Sequence, residues 1–422
     1  MPTRDNSILY FLHIPKTAGA TLIYTLDNYF HQSEIFPALL LSELLQVPNL
    51  TEVINRCRFL RGHFDYNVCS LLQRPYQVIT MLRDPIERSI SQFEHIRRHP
   101  EGAYWDDTNL ISNDTSFDIF LNNAEVEGFL ENIQTRAFVP EWYDISRFKW
   151  DAEIPTPSEE MLLTLARKRL EACLFIGLQE RFEDSLRLLF FRLNLRRPPF
   201  MTNYNVAHKR SKVSELSQDV RDRLYELNNL DLQLYAYGRS LFESRFAAMC
   251  SHLDVMFPGK SIDDQLDLYY DQHHAHQETW ILAPARYTFD QPLVGTNWYQ
   301  REAFHGNYVR WTGPGNTATI EYPLISEQDL CVEILSIGTI LPEMVEKFSF
   351  QVNDIDIPLE RSEGFPGVIF KGIIPARAFQ TSIAQTLKFS VDKTVRASEI
   401  YPESASNRKL GICIYSIEFT EM

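Results

Sequence analysis

Residues 8–21 read ILYFLHIPKTAGAT, and this stretch decides the fold. Its first part, Ile8 to Ile14, is an almost continuous apolar run of the kind found in strands buried on both faces of a parallel sheet. From Thr21 to Tyr29 the apolar residues follow a helical spacing. The small residues and Gly19 between them allow a tight turn whose N–H groups converge at the start of a helix. The stretch therefore predicts a strand, an anion-binding loop and a helix.

The loop itself carries side chains that suit a phosphate. Lys16 supplies a positive charge, and Thr17 and Thr21 supply hydroxyl donors. It is not a Walker A loop, because it has no GxxxxGK[ST] pattern and its lysine precedes the glycine. We expect a phosphate site without the usual arrangement for a magnesium-bound nucleotide. The alternative is an ordinary strand-to-helix turn with a surface lysine.

A second passage from strand to helix follows in TMLRDPIERSISQF, Thr80 to Phe93. Arg83 lies at the carboxyl end of the predicted strand Tyr76 to Leu82, where ligands of open α/β sheets bind. Ser91 can return to the same side from the second turn of the helix. A guanidinium and a hydroxyl together match phosphate oxygens, so this pair predicts a second phosphate site. We expect Arg88 in a surface or structural ion pair with a neighbouring acid.

Between these motifs lies RGHFDY, Arg61 to Tyr66, which follows a short apolar segment and is expected at the end of a neighbouring strand. A histidine with an ordinary pKa of about 6.5 is suited to remove a proton from an alcohol at neutral pH. His63 is therefore a candidate general base. The alternative is a structural histidine at the end of a strand.

The first 250 residues alternate apolar runs with helical patterns, which predicts an α/β domain with a parallel sheet flanked by helices. Further elements are expected as a strand at Leu174 to Leu178, helices at Ile86 to Arg98 and Glu159 to Glu171, and a long amphipathic stretch at Ser214 to Phe246. Later in the chain, short β-type runs separated by turn residues predict an antiparallel β-sandwich. We therefore expect a first domain (1–250), a connector (251–285) and a second domain (286–422).

Composition limits the classes of ligand and partner. The 422 residues carry a formal net charge of −15, so the overall field repels nucleic acid, and nucleic-acid binding is not expected. The six cysteines are scattered without metal-like spacing and are expected as buried, reduced thiols. No stretch has the roughly 20 apolar residues needed to span a bilayer. These features favour a soluble, cytoplasmic protein without a metal site.

Two phosphate sites on strand ends of one sheet suit a nucleotide with phosphates at its 5′ and 3′ positions. HIPKTAGAT resembles the 5′-phosphosulfate loop of sulfotransferases that use 3′-phosphoadenosine 5′-phosphosulfate (PAPS), and RDPIERSISQF resembles their 3′-phosphate motif. The likeness is greatest to the heparan sulfate 2-O- and uronyl 2-O-sulfotransferases and covers roughly residues 7–246. It implies PAPS as co-substrate, a carbohydrate or similar hydroxyl as acceptor, and no metal.

The resemblance also implies roles for individual residues. His63 takes the place of the catalytic base, and Lys16 stabilises the leaving 5′-phosphate. Lys209 and Arg210 lie where relatives contact the nucleotide or the acceptor, although a solvated basic loop is an equal alternative. Many relatives have Thr or Ser in place of Ala20, so one hydroxyl contact is missing unless Thr21 replaces it. The cofactor-binding set implied by the resemblance is Pro15, Lys16, Thr17, Ala18, Gly19, Ala20 and Thr21 for the 5′ end, and Arg83 and Ser91 for the 3′-phosphate.

The acceptor side is less specific. GTNWYQRE and YVRWTG, within residues 295–313, resemble accessory β-sandwiches beside bacterial glycan-modifying domains. Trp298, Arg310 and Trp311 would bind carbohydrate there, but large aromatics are more often core, and we favour the core for the two tryptophans. Tyr104-Trp105 and Trp142-Tyr143 are candidates for a sugar-stacking wall or for core. The histidines of DQHHAHQ, residues 271–277, are expected in a solvated linker and not in a metal site.

Three functions remain open from sequence. We favour a PAPS-dependent sulfotransferase in a bacterial, cytoplasmic setting, because the membrane anchor of Golgi-resident relatives is absent. A P-loop-like nucleotide kinase or NTPase is disfavoured by the missing Walker A pattern and by the Arg83/Ser91 pair. An inactive protein that binds nucleotide and glycan is disfavoured by the joint presence of Lys16, His63, Arg83 and Ser91. The acceptor, the position sulfated and the oligomeric state are not determined.

Overall fold

The computed structural model describes residues 7–98, 116–121, 128–144, 149–150, 157–196, 213–274, 280–379, 384–401, 403–404 and 406–422. These residues group into two compact units. The first contains the described residues up to 23, 34–195 and 213–270, and the second contains 24–33, residue 196 and the described residues from 271 onward. This grouping divides the chain at residue 270, whereas the sequence suggests 250. The domain boundaries drawn from sequence stay predictions.

A parallel sheet forms the centre of the first unit. The strands up to residue 178 are β1 Ile8–Leu12, β2 Phe59–Gly62, β3 Tyr76–Leu82, β4 Tyr143–Asp144, β5 Lys149–Trp150 and β6 Phe175–Leu178. Four of them form the sheet in the order β2-β1-β3-β6, while β4 and β5 form a separate antiparallel pair. All residues of β1 are fully buried, as expected for an inner strand covered on both faces.

Along the chain, helices lie between the strands of this sheet and continue after the last of them. They are α1 Gly19–Asp27, α2 Leu41–Leu44, α3 Leu50–Arg56, α4 Pro85–Arg98, α5 Phe117–Leu121, α6 Ile133–Phe138, α7 Glu159–Glu171, α8 Phe182–Leu193, α9 Gln218–Leu227, α10 Asn229–Met256 and α11 Ile262–His274. Short 3₁₀ turns lie at Gln32–Glu34, Tyr66–Leu71, Pro140–Trp142, Gln179–Arg181 and Val213–Glu215. The predicted fold class of a parallel sheet flanked by helices is confirmed.

The stretch expected as one long helical segment is two helices. α9 ends at Leu227, and α10 begins at Asn229 and continues to Met256, beyond the expected end at Phe246. Asn228 lies between them, fully buried, with its side-chain amide donating to the Leu224 carbonyl at 2.9 Å. This side-chain bond to the backbone competes with helix continuation, as short polar amides commonly do. α11 lies within the segment expected as a connector.

The second unit is built from antiparallel sheets, as the sequence predicts. Its strands are β7 Ala285–Thr288, β8 Gly295–Thr296, β9 Glu302–Phe304, β10 Asn307–Trp311, β11 Thr317–Tyr322, β12 Leu330–Thr339, β13 Ser349–Val352, β14 Ile355–Ile357, β15 Leu359–Gly364, β16 Gly367–Ile374, β17 Gln385–Ser390, β18 Val395–Arg396, β19 Lys409–Leu410 and β20 Ile412–Glu421. The larger sheet has the order β15-β16-β12-β20-β10-β9 with β7 on β20, and the smaller has the order β14-β13-β17-β11-β8. Short helical segments are α12 Glu343–Glu346, α13 Ala397–Ile400 and the 3₁₀ turn Ala376–Ala378.

Trp298 belongs to the core of this unit. Its side chain is largely buried, its Nε1 donates to the Thr319 carbonyl at 2.8 Å, and its ring contacts those of Phe289 and Phe389. Arg310 is also buried, and its Nη1 donates to the Tyr299 carbonyl. The core role favoured for the tryptophans thus fits Trp298, whereas Trp311 is half-buried.

The six cysteines form no disulfide, and four of them are buried, as expected for reduced thiols in a protein with a proper core. Among the described residues, no helix combines the length and the apolar character that crossing a bilayer requires.

Trp298→Ala is expected to lower the free energy of unfolding of the second unit by about 3–5 kcal/mol, the usual cost of deleting a large buried aromatic. Denaturant titrations followed by circular dichroism measure it. Phe365→Ala is the control, since that side chain is 89% exposed and its removal should change stability by less than about 0.5 kcal/mol. Equal stabilities of the two variants would contradict the core role of Trp298.

Candidate active site

Parallel pairing brings the three sequence motifs to one edge of the sheet. Leu12 of β1 pairs with Gly62 of β2 on one side and with Thr80 of β3 on the other. The Thr80 hydroxyl also donates to the Leu12 carbonyl at 3.0 Å. Because the strands run in the same direction, the residues that follow them lie side by side at the carboxyl edge. The loop after β1 therefore lies between His63 and Arg83.

The loop between β1 and α1 has an unusual backbone. Lys16 and Ala18 have φ values of 71° and 69°, in the left-handed region, which costs a non-glycine residue roughly 1–3 kcal/mol. The buried hydroxyl of Thr17 donates to the Ile14 carbonyl at 2.8 Å and closes the turn. Left-handed residues in a tight turn direct successive N–H groups to one side, and the positive end of α1 follows directly. This geometry suits the predicted phosphate loop.

The ring of His13 explains the glycine of this loop. A Cβ on Gly19 would overlap the His13 imidazole, which is largely buried. The same ring stacks on that of His63, with centroids 4.2 Å apart. Burial, together with the neighbouring His63 and Lys16, lowers the pKa of His13 well below its usual value. His13 is therefore neutral at pH 7 and links the loop to the end of β2 without adding charge.

His63 is half-buried immediately after β2. Its backbone N–H donates to the Leu39 carbonyl at 2.7 Å, and its Nδ1 lies 3.2 Å from the His13 carbonyl oxygen. A carbonyl only accepts hydrogen bonds, so Nδ1 carries the proton in this contact and Nε2 retains a lone pair. Burial lowers the pKa of His63, the bond to the His13 carbonyl partly opposes this, and the charge of Lys16 lowers it further. At pH 7 the ring is neutral and able to accept a proton.

Arg83 connects the two predicted phosphate sites. The residue is 3% exposed, and its Nη1 donates to the Lys16 carbonyl at 3.1 Å. Its Nη2 lies 3.7 Å from a carboxylate oxygen of Glu87 on α4. The guanidinium is thus held beside the loop that carries Lys16.

Ser91 lies in the second turn of α4, and the start of this helix is fixed by Asp84. Asp84 accepts the backbone N–H groups of Ile86 and Glu87 at 3.0 Å each, which is an N-cap arrangement that fixes where the helix begins. Ser91 lies one turn after Glu87 and shares its helix face, and it is largely buried. Glu87 is the residue of this helix that approaches Arg83, and the convergence of Arg83 with Ser91 stays a prediction.

Arg88 does not form a surface ion pair. It is fully buried, and its Nη2 donates to the Leu130 carbonyl at 3.1 Å, while its Nε and Nη1 have no hydrogen-bond partner among the described residues. Burial lowers the pKa of Arg88 to about 10, and the charge of the buried Asp231 opposes this. The expected surface ion pair of Arg88 is therefore wrong, and the acid that acts on this buried guanidinium is Asp231, through its charge.

Several residues singled out from sequence lie outside the described part of the chain or have side chains outside it. They are Lys209, Arg210, Tyr104, Trp105, Trp142, Tyr143, His274 and His276. In the part that is described, no group of three His, Cys, Asp or Glu side chains could hold a metal ion. Two residues at the site were missed from sequence. His13 stands directly before the loop, and Gln134, whose side-chain amide bonds to the backbone of Arg83, has no signal in its sequence surroundings.

Gly19→Ala is expected to push the His13 ring away from His63 and to lower the free energy of unfolding by about 1–3 kcal/mol, as overpacking does. Denaturant titration and the ring signals of His63 in NMR spectra measure these effects. The control is Ala20→Ser, which adds one heavy atom at the next, partly exposed position. It should leave the free energy of unfolding and the His63 ring signals unchanged. Unaltered His63 signals in Gly19→Ala would contradict the proposed contact.

The imidazole of His63 is expected to titrate below pH 6.5 in the ligand-free protein, because burial and Lys16 disfavour its protonated form. NMR titration of the ring, assigned with His63→Gln, measures the midpoint. In Lys16→Met the midpoint should move to higher pH, since one positive charge is removed. A wild-type midpoint above 6.5 would show that the ring is not held in its neutral form.

Comparison with curated proteins finds relatives named for sulfuryl transfer to heparan sulfate. Heparan-sulfate 6-O-sulfotransferase 3 of Homo sapiens is 27% identical over 190 residues, which cover 41% of this chain and 39% of the relative. Heparan-sulfate 6-O-sulfotransferase 1 of Homo sapiens is 29% identical over 204 residues, covering 41% and 45%. Heparan-sulfate 6-O-sulfotransferase 1-B of Danio rerio is 30% identical over 192 residues, covering 41% and 45%. The chain spans less than half the length of these relatives.

These names specify the 6-O position, whereas the greatest likeness expected from the two sequence motifs is to the 2-O group. A model of the sulfotransferase family matches residues 3–238, which is more than half of the chain and contains the loop, His63, Arg83 and Ser91. The match confirms the family resemblance seen in the motifs and falls on the part of the chain that contains the parallel sheet. The chain belongs to the sulfotransferase family.

Proposed function

We propose that this protein transfers a sulfuryl group from PAPS to a hydroxyl group of a carbohydrate or glycan-like acceptor. The observation that carries the proposal is the meeting of the Lys16 loop, His63 and Arg83 at one edge of the parallel sheet. An anion-binding loop, a neutral base and a second anion-binding group are the three parts that such a transfer needs. Membership of the sulfotransferase family supports the same chemistry.

The groups present fit a bisphosphorylated adenosine. The loop from Pro15 to Thr21 and the positive end of α1 suit the 5′-phosphosulfate, with Lys16 adding a full charge. Arg83 and Ser91 suit the 3′-phosphate, because a guanidinium and a hydroxyl both donate to phosphate oxygens. Lys209 and Arg210 are further proposed contacts on the basis of sequence. When bound, PAPS supplies the sulfuryl group and, as leaving group, its 5′-phosphate.

His63 acts as the general base in this proposal. With Nδ1 donating to the His13 carbonyl, Nε2 takes the proton that the acceptor hydroxyl loses as its oxygen bonds to sulfur. Lys16 stabilises the negative charge that grows on the bridging oxygen as the bond between sulfur and that oxygen breaks. The loop N–H groups, already oriented by the strained backbone, act on the same charge without reorganisation. No step in this scheme assigns a role to the second unit.

The acceptor is proposed as a carbohydrate hydroxyl in general. The relatives that are named for heparan sulfate support a glycan, and the position of the hydroxyl stays open. The formal net charge of −15 means that an anionic glycan would be attracted only by a local basic surface.

His63→Ala and Lys16→Ala are each expected to lower kcat by about 10²-fold or more, the usual cost of losing a general base or a charge-stabilising group. Transfer of labelled sulfate from PAPS across a panel of glycans measures this. His252→Ala is the control, because His252 is exposed on α10 in the same unit. Full transfer by His63→Ala would exclude His63 as the base.

Calorimetry with 3′-phosphoadenosine 5′-phosphate (PAP), ATP and 5′-AMP separates the proposed function from the alternatives. We expect PAP to bind more tightly than 5′-AMP, because only PAP offers the 3′-phosphate. Tighter binding and turnover of ATP with Mg²⁺ would instead favour a kinase or NTPase. PAP binding without sulfate transfer to any glycan would favour the inactive binding protein.

A further inference from the structure

Gln134 contacts the peptide groups of Arg83 with both atoms of its side-chain amide. The Arg83 N–H donates to Gln134 Oε1 at 3.0 Å, and Gln134 Nε2 donates to the Arg83 carbonyl at 2.9 Å. Arg83 follows the last residue of β3, beyond the residues that pair with β6. The amide of Gln134 therefore replaces a neighbouring strand at the point where the ladder of β3 ends. This fixes the backbone from which the Arg83 side chain extends.

Gln134 is itself held rigidly. It is 1% exposed, and its backbone N–H donates to Asp231 Oδ2 at 2.9 Å, while the N–H of Thr135 donates to Asp231 Oδ1 at 2.7 Å. Asp231 is fully buried in the first turn of α10. In return, Asn132 accepts the backbone N–H groups of Leu230 and Asp231 through Oδ1. The first turn of α6 and that of α10 are thus locked together by reciprocal bonds.

A continuous chain of hydrogen bonds results. It runs from the Asp231 carboxylate to Gln134, from Gln134 to the Arg83 backbone, and from the Arg83 guanidinium to the Lys16 carbonyl. Each link joins residues that are far apart in sequence and buried or partly buried in the fold. Arg83 is therefore held at both ends: Gln134 fixes its backbone, and the loop carbonyl of Lys16 accepts a hydrogen bond from its guanidinium.

The buried charges around this chain favour an added anion. Arg88 is fully buried, and the positive charges of Arg83 and Arg136 both act to lower its pKa, whereas Asp231 raises it. Arg136 is paired with Glu131. Arg88 is thus repelled by two other guanidinium groups and attracted by one buried carboxylate, and a phosphate beside Arg83 would offset part of this positive charge.

We propose that Gln134 is a positioning residue that orients Arg83 toward the 3′-phosphate and so sets the preference of this protein for 3′-phosphorylated adenosine nucleotides. The proposal rests on the proposed function, since it needs a nucleotide whose 3′-phosphate meets Arg83. Gln134 acts through Arg83 and does not itself contact the nucleotide. Loss of its amide should therefore affect only ligands that carry the 3′-phosphate.

Gln134→Met removes both amide bonds while keeping a side chain of similar length. We expect the dissociation constant for PAP to rise roughly tenfold, the effect of weakening about one charged hydrogen bond between Arg83 and the 3′-phosphate, and that for 5′-AMP to stay within about twofold. Calorimetry on the full chain measures both constants. The matched control is Gln265→Met, another buried glutamine of the first unit, whose Nε2 donates to Asp254 and to the Phe257 carbonyl. Both constants should be unchanged in that variant.

The possible results are distinct. A loss of PAP affinity in Gln134→Met that spares 5′-AMP supports the proposal, and an equal loss for both nucleotides, or no loss, overturns it. If the wild-type protein itself does not distinguish PAP from 5′-AMP, the proposed function fails first and this inference fails with it. Should Gln134→Met not fold, Gln134→Asn keeps the amide but shortens it by one methylene. A selective loss for PAP is then expected in that variant, and its absence overturns the proposal.

Discussion

The pairing of β1 with strands on both of its sides is the constraint on which the rest of the first unit depends. Leu12 faces Gly62 in one neighbour and Thr80 in the other, so the chain segments after the three strands must emerge together. A shift of one residue in either pairing would turn the side chains of that strand to the opposite face. The bond from the Thr80 hydroxyl to the Leu12 carbonyl, together with the complete burial of β1, supports this register.

Strain in the phosphate loop is balanced by contacts from outside it. The left-handed conformations of Lys16 and Ala18 are unfavourable in isolation, and they persist because the loop is held by Thr17 from within and by Arg83 from β3. The Arg83 bond goes to the carbonyl of Lys16, which is itself one of the strained residues. The loop and the Arg83 side chain therefore support each other through this one hydrogen bond.

The electrostatics of the site oppose the overall charge of the chain. The protein carries a net charge of −15, yet the carboxyl edge of its parallel sheet combines Lys16, Arg83 and the positive end of α1. The two stacked histidines stay neutral, because burial and Lys16 disfavour their protonation. A protonated histidine ring there would repel Lys16, and a protonated His63 would have no lone pair on Nε2. Neutrality of this pair is thus what allows a base to lie beside a cationic loop.

Much of this arrangement follows from the sequence by itself. Continuous apolar runs determined the strands, helical spacing determined the helices, and the small residues around Lys16 determined the loop. Strand β3 and helix α7 have the bounds expected from sequence. These features depend on neighbours a few residues away, so local patterns are sufficient to predict them. The break at Asn228, the burial of Arg88, the stack of His13 on His63 and the role of Gln134 were decided only by the tertiary structure. The Gln134 amide meets Arg83 across 51 residues, and its N–H meets Asp231 across 97. Neither contact leaves a periodic trace in the sequence, because a hydrogen bond between distant segments depends on how the helices pack and not on the residues beside it.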